Sequence, residues 1–341
     1  MKQKKVTFAD IAAYTGFSKT TISRYFNNPD SLTLENQEKI AHALDVLGYQ
    51  ENKLAKVLAN GKSEFVGIII PNLYLHYYSE MLNQLLSTYE KYNYKFLVFI
   101  GNNKKEIEEK YIHELMAYKI EGLIVLSNTI SSEELASYKL PVVTIERECD
   151  HVCSVSTDNY LGGVQATSLL IRNKCDVILH INSIFPDTLP TYGRIRGFED
   201  ICNEHHVVHE LIQRNLGNTY QETLTQLKNI FNEIEEKYPS QKKGVFLAND
   251  TYASMFLNLI FQKYGKLPKD YQIVGFDDSP IASEAILPIT TVGQQIEKIA
   301  QTAMELLVRQ MNEMKKRKPA PLKEPVHKQI TPVLIRRNTT D

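Results

Sequence analysis

Two kinds of hydrophobic pattern divide the chain. Over the first 50 residues apolar positions recur at helical spacing and no strand pattern appears. Phe8, Ile11 and Ala12 stand at i, i+3 and i+4, with Thr7 placed as an N-cap and Asp10 three residues later, close to a capping box. Gly16 breaks that helix. Ser18 caps a second one, on which Ile22 and Phe26 lie one turn apart and face inward. Asn27, Asn28, Pro29 and Asp30 make a turn. A third helix follows, with Ile40, Ala41, Leu44 and Leu47 inward and Gly48 as its stop. Two helices joined by about four residues that include a glycine, braced by a third, form a helix-turn-helix arrangement.

From Phe65 the period changes. The runs FVGIII, KFLVFI, GLIVLS, PVVTI, DVILHIN, GVFLAN and QIVGF are apolar and bounded by turn residues. Between most of them lie helical stretches such as 79–92, 106–118, 160–172, 220–237 and 252–264. Apolar strands alternating with amphipathic helices predict parallel sheets covered on both faces. The expected fold is therefore an all-α helix-turn-helix domain at 1–50, a linker at 51–62, and an α/β core at 63–341 made of two doubly wound lobes. The first lobe is expected to hold about 63–160 plus 292–320, and the second about 161–291 plus 321–341. Ligands of such folds sit at the carboxyl ends of the strands.

Charge adds an asymmetry. The 341-residue chain has a net charge of −1, but residues 1–62 carry nine Lys/Arg against six acids, and the remainder 30 against 34. A basic module on an acidic body suits an anionic partner for the module, although a solvated basic face is the commoner cause of such a bias. With 43% hydrophobic and 23% charged residues the chain reads as globular. No apolar run approaches the length of a membrane span, and the start MKQKKVTF has no apolar signal region, so a cytoplasmic protein is expected. The four cysteines, Cys149, Cys153, Cys175 and Cys202, have no framework spacing and are expected to be thiols.

In a helix-turn-helix unit the second helix presents its N-terminal residues to the major groove. Here these are Ser18, Lys19, Thr20 and Thr21, then Ser23 and Arg24 one turn on. Lys and Arg donate to guanine edges, Thr bonds or packs on a thymine methyl, and Ser and Thr suit phosphates. The plain alternative is a solvated helix in a small three-helix domain.

VTFADIAAYTGFSKTTISRYFNN, followed by ALDVLGYQEN and AKVLANGKSEFVGIIIPN, resembles the lactose/galactose repressor (LacI/GalR) family of bacterial transcription regulators. The resemblance continues through IEGLIVLS, STDNYLGG, GRIRGF, FLANDTYA, QIVGFDDSPIA, TTVGQQ and PVLIRRN, and so runs along the whole chain. It implies DNA contacts by Thr7, Ser18, Lys19, Thr20, Thr21, Ser23, Arg24 and Asn27, with Lys19 and Thr20 as the variable base-reading positions. The family's hinge-helix pattern P-N-x-x-A-R-x-L is met by ENKLAKVL, in which Asn52, Ala55 and Leu58 match, Glu51 replaces the proline and Lys56 the arginine. By this resemblance Leu58 is the wedge that enters the minor groove, with packing between two hinge helices as the alternative or additional role. Two-fold symmetry then calls for a homodimer on a pseudo-palindromic operator.

The same resemblance implies a cleft that closes around a small-molecule effector. Tyr77 and Tyr78 stand at its aromatic positions, as stacking groups or as packing for the first core helix. Arg194 in YGRIRGF is its arginine, able to hold hydroxyls, a carboxylate or a phosphate with two donors, and Arg196 is assigned to the outer helix face. Asp277 is an acceptor for ligand hydroxyls or amines, and Asn249, Leu216 and Gln294 are further cleft positions. Asp158 is either a cleft group or only a helix N-cap. A hydroxyl-rich ligand suits this set, with a purine-like one still open.

Other constellations carry no chemistry. EHHVVH at 204–209 lacks metal-site order, no phosphate-binding glycine loop occurs, and no nucleophile is paired with a base. No cofactor, no metal and no enzymatic activity are expected. The reading is a sequence-specific transcriptional regulator, a repressor of a carbohydrate operon switched by a sugar or sugar derivative. The alternatives are a catabolite-type regulator whose co-effector is a phosphorylated carrier protein, a purine-type corepressor-dependent repressor, and a solute-binding protein without DNA function. The chain ending at PVLIRRNTTD leaves no room for an added tetramer-forming helix, so a dimer is expected.

Overall fold

The computed structural model describes residues 6–50, 63–147, 150–316 and 324–341. The chain forms two compact units, Met1–Lys62 and Ser63–Asp341. The linker at 51–62, with Glu51, Asn52, Ala55, Lys56 and Leu58, lies outside the described residues, as does Cys149.

In the small unit three helices form: α1 (Phe8–Thr15), α2 (Lys19–Asn27) and α3 (Leu34–Leu47). The ends follow from local chemistry. The Asp10 carboxylate accepts from the Thr7 N–H at 2.8 Å and the Thr7 hydroxyl at 2.6 Å, satisfying a free donor at the start of α1. Gly16 and Gly48 end α1 and α3 at φ 75° and 62°, which a side chain disfavours. Ile11, Ile22, Ile40 and Ala43 are fully buried, and Phe8 stacks on Phe26 with ring centroids 5.2 Å apart. On α3 it is Ala43 that faces the core, whereas the expected Ala41 is exposed; Leu44 and Leu47 pack at the margin. Ala43 falls three residues after Ile40 and shares its stripe.

The large unit has two six-stranded sheets. The first has the order β11-β5-β4-β3-β1-β2: β1 (Phe65–Ile70), β2 (Lys95–Ile100), β3 (Gly122–Val125), β4 (Val142–Ile145), β5 (Cys153–Thr157) and β11 (His327–Ile330). All its pairings are parallel, with Val66 opposite Phe96 on one side and Gly122 on the other. The second has the order β12-β10-β9-β8-β6-β7: β6 (Val177–Ser183), β7 (Val208–Arg214), β8 (Lys243–Leu247), β9 (Tyr271–Asp277), β10 (Thr290–Gly293) and β12 (Val333–Ile335). Only β12 is antiparallel.

Helices cover both faces of each sheet, as the βαβ pattern requires. His76–Ser87 and Ile296–Met314 bury Met81, Leu85, Ile299, Ala303 and Leu307 against one face of the first sheet. Lys105–Ala117 covers the other with Ile112 and Leu115. Tyr220–Lys237 and Asp250–Tyr264 cover one face of the second sheet, and Asn159–Arg172 and Gly193–Glu204 the other.

The chain crosses between the lobes three times, after β5, after β10 and between β11 and β12. The last crossing moves a boundary. His327–Ile330 pairs with Ser154–Thr157 in the first sheet, so 321–341 does not belong wholly to the second lobe. Likewise Val292 and Gly293, expected in the first lobe, complete β10 of the second. Among the described residues no helix is long and apolar enough to cross a membrane.

Candidate functional site

The small unit offers a polar helix face. Ser18 caps α2, its hydroxyl accepting from the Thr21 N–H at 3.1 Å and lying 2.9 Å from the Thr21 hydroxyl. The Asn27 amide donates to the Ser23 carbonyl at 3.0 Å and to its hydroxyl at 3.2 Å. These bonds fix the face from within the helix. Lys19, Thr20 and Arg24 are exposed and make no side-chain hydrogen bond among the described residues. Thr7 is exposed and spent in part on Asp10. Two free cations and a threonine, presented on a helix whose other face carries Ile22, can meet a polyanion and read a groove edge.

The second site lies where strands of both sheets end. Glu146 follows β4, Asn159 follows β5, Asp277 ends β9 and Gln294 follows β10. Arg194 enters from the first turn of Gly193–Glu204. That helix crosses Asn159–Arg172 at backbone contact: a Cβ at Gly163 would stand 2.4 Å from the Arg194 carbonyl oxygen, and one at Gly197 2.4 Å from that of Tyr160. Only glycine permits the approach, and it sets where Arg194 stands.

Arg194 is 6% exposed. Its Nε donates to Asn159 Oδ1 at 2.7 Å, its Nη1 to the Ala248 carbonyl at 2.6 Å, and its plane lies 3.6 Å over the Phe276 ring. Asn159 in turn donates to Glu146 at 2.9 Å, and Glu146 also accepts from the Thr157 N–H at 2.7 Å. A second chain runs from the Thr157 hydroxyl to Gln294 Oε1 at 2.6 Å and from Gln294 Nε2 to Asp277 at 2.5 Å. Thr157 belongs to the first sheet and Asp277 to the second, so this relay joins the lobes.

Burial governs the protonation of these groups. It pushes the Asp277 carboxyl up to about 7, against the opposing pull of Arg194 and the Gln294 amide. Glu146 is also raised by burial, with Arg194, Asn159 and Thr157 opposing. Asp250, behind Asp277, is raised by burial and by Asp277, while it accepts from the Ser279 N–H at 2.9 Å and the Thr291 hydroxyl at 2.6 Å. Tyr77 is raised by burial and then by Glu146 and Asp277; its buried hydroxyl has no partner among the described residues. Tyr78 meets Tyr77 edge-on at 5.3 Å. Beneath the site, burial lowers His180 to about 3; its Nδ1 sits 3.0 Å from the Phe246 carbonyl and its ring stacks on Phe246.

The expected cleft residues divide. Arg194, Asp277, Gln294, Tyr77 and Tyr78 form one cluster, with Tyr77 serving the first-lobe core as well. Asp158 caps Asn159–Arg172, accepting from the Leu161 N–H at 3.0 Å, and Asn249 caps Asp250–Tyr264, accepting from the Tyr252 N–H at 2.8 Å. Leu216 is 1% exposed within the apolar core of the second lobe, because the chain leaving β7 turns it under Tyr220–Lys237. Glu146, Asn159 and Asp250 were not expected; each is the first or second polar residue beyond a strand, a position that gains meaning only once the topology gathers the strand ends.

A further segment links the lobes at the edge of the site. Leu75, just before His76–Ser87, packs into the apolar core of the second lobe. The Thr251 hydroxyl accepts from the His76 N–H at 3.0 Å and lies 3.1 Å from His76 Nδ1. Tyr74 sets its hydroxyl beside Thr223 and Tyr252. The loop 72–76 is thus a strap fastened across the lobes.

Residues 7–52 match the lacI family of bacterial regulatory proteins, and residues 168–340 the periplasmic binding protein-like domain. The chain is 26% identical over 307 residues to the sucrose operon repressor of Streptococcus mutans serotype c, covering 89% of this chain and 92% of that protein. Its fold follows the lac repressor dimer bound to operator and the anti-inducer ONPF, with a TM-score of 0.81 at 20% identity over 99% of each chain. A LacI-type regulator from Alkaliphilus metalliredigens, complexed with D-xylulofuranose, matches with a TM-score of 0.68 and 26% identity over 82% of this chain and 100% of that one. An exposed recognition helix on a small helical unit and a two-lobed core with a polar cluster at its strand ends make the chain a DNA-binding transcriptional regulator of the lacI family, with a periplasmic-binding-protein-like core.

Proposed function

We propose that this regulator represses a carbohydrate-utilisation operon from the cytoplasm, and that a small hydroxylated molecule held between the core lobes switches its hold on DNA. Ser18, Lys19, Thr20, Thr21, Ser23, Arg24 and Asn27 contact the operator, with Lys19 and Thr20 choosing bases and Thr7 touching the backbone. Two copies read the two half-sites of a pseudo-palindrome. Arg194, Asp277 and Glu146 hold the ligand's hydroxyls and Tyr77 and Tyr78 its apolar face. No enzymatic step is part of this role.

The observation that carries the reading is the relay Thr157–Gln294–Asp277. It ties the first sheet to the second through hydrogen bonds at the ligand-facing carboxylate. A molecule that binds Asp277 and Arg194 acts on the joint between the lobes. Its differential affinity for two lobe angles then sets how the DNA-binding units are presented. The carbohydrate class is supported by the sucrose operon repressor and by the D-xylulofuranose complex among the relatives.

The test is Arg194→Ala in the full chain, assayed by fluorescence anisotropy on operator DNA with and without sugars. Operator affinity should stay within about threefold while the sugar response falls by at least about 100-fold, as expected when a charge-assisted pair of contacts is lost. An unchanged sugar response would sink the assignment of this cluster. A response to a phosphorylated carrier protein instead of any sugar would favour catabolite-type control.

A further inference from the structure

We propose that the core cleft selects its ligand by charge: it takes an uncharged polyhydroxyl molecule and turns away the phosphorylated or carboxylated form of the same carbohydrate, with Glu146 and Asp277 setting the choice. This rests on the effector reading above and narrows it.

The first reason is the commitment of the one guanidinium. Arg194 has given Nε to Asn159, one N–H of Nη1 to the Ala248 carbonyl and its face to Phe276, so that only its three remaining terminal N–H donors are left for a ligand. A phosphate at neutral pH carries close to two negative charges and asks for several charge-assisted donors. The second reason is the company Arg194 keeps. Tyr77, Tyr78, Glu146 and Asp277 all feel this guanidinium, and the carboxyl groups set against it are Glu146 and Asp277. In a buried setting like charges repel far more strongly than in water. The third reason lies outside the cluster. A pocket of about 390 Å³ shares Asp277 as a wall, and its other charged groups are Glu80, Asp278, Glu297 and Arg337. Arg337 is already paired with Asp278 at 2.6 Å.

A sugar hydroxyl meets the opposite situation. It donates to Asp277 or Glu146 and so stabilises a carboxylate that burial disfavours. It also offers a partner to the buried Tyr77 hydroxyl, which has none among the described residues.

The experiment uses the full chain at pH 8, where Asp277 has released its proton, and matched pairs: glucose with glucose 6-phosphate, ribose with ribose 5-phosphate, sucrose with sucrose 6-phosphate, and galactose with galacturonate. Thermal shift finds the binders and titration calorimetry gives Kd for each member. The neutral member of at least one pair should bind, with its anionic partner at least about 100-fold weaker. Asp277→Asn, which keeps an acceptor for Gln294 and removes the charge, should narrow that gap about tenfold or more. An anionic partner that binds as tightly as its neutral form overturns the charge selection and leaves the effector cleft standing. A gap unchanged in Asp277→Asn removes Asp277 from the selecting pair. No binding by any member overturns the effector reading and this inference with it.

Discussion

The small unit and the cleft handle polar residues in opposite ways. On α2 the side chains proposed to read DNA are exposed, and Lys19, Thr20 and Arg24 make no side-chain hydrogen bond among the described residues, while the buried Ile11, Ile22, Ile40 and Ala43 hold the fold. In the cleft the side chains proposed to hold the ligand are buried and bonded within their cluster, and Arg194 alone makes two hydrogen bonds and a ring contact. A DNA-reading face must be free to meet a partner that brings its own charge. A small-molecule site must be preorganised, because the ligand supplies little energy to order it. Stability and function are therefore separable in the small unit and entangled in the cleft.

The largest effect should come from breaking the small unit's core. Ile22→Ala removes one of four fully buried residues and costs about 2–5 kcal/mol. That is a large share of what so small a core can supply. Operator binding should fall at least about 100-fold. Calorimetry should show the core transition unmoved. A mutant that binds operator normally would show that α2 does not depend on this core.

The next effect sharpens the entanglement. The folded Asp277 carboxyl holds its proton up to about pH 7, whereas an unfolded one releases it near 3.8. The folded core therefore binds more protons between those values, and stability falls as pH rises through that window. The shift of roughly three units corresponds to at most about 4 kcal/mol. Asp277→Asn should raise the core Tm at pH 8 and leave it nearly unchanged at pH 4, so that the two pH profiles diverge upward from about pH 5. Parallel profiles would contradict the cost of burying that charge.

The smallest effect tests separability from the other side. Lys19→Ala should weaken operator binding by about 1–3 kcal/mol and relax preference at one base position. Thermal unfolding should not change, since the exposed Lys19 side chain makes no hydrogen bond or ion pair among the described residues. A loss of Tm comparable to that of Ile22→Ala would remove the distinction between the two regions.

The same contrast explains what was legible in the sequence. The recognition helix could be read because its signals are local: a cap at Ser18, an inward pair at Ile22 and Phe26, a polar face between. The sheets could be read where strands are apolar. They were missed where buried strands carry hydroxyls, as in β5, whose Ser154 and Thr157 are satisfied by His327 and Gln294 from distant segments. They were also missed at β11 and β12, which are short and largely open to solvent. Arg194 and Asp277 came through resemblance to a family. Glu146 and Asn159 did not, because a single polar residue after a strand says nothing until topology brings other strand ends beside it. Leu216 shows the converse: the resemblance suggested the cleft, and packing sends it inward.

The glycine contact that seats Arg194 bears on redesign. With Gly163 and Gly197 pressed against the facing helix backbone, Arg194 is a fixed datum in the proposed binding site. Tyr77 and Tyr78 stand in the first turn of a helix of the other lobe; Tyr77 is built into that lobe's core, and Tyr78 is the less buried of the two. A library that varies Tyr78 and leaves Tyr77 and the glycines alone should yield sensors for new ligands that all share one anchoring point. A library that touches the glycines should mostly yield regulators deaf to any ligand.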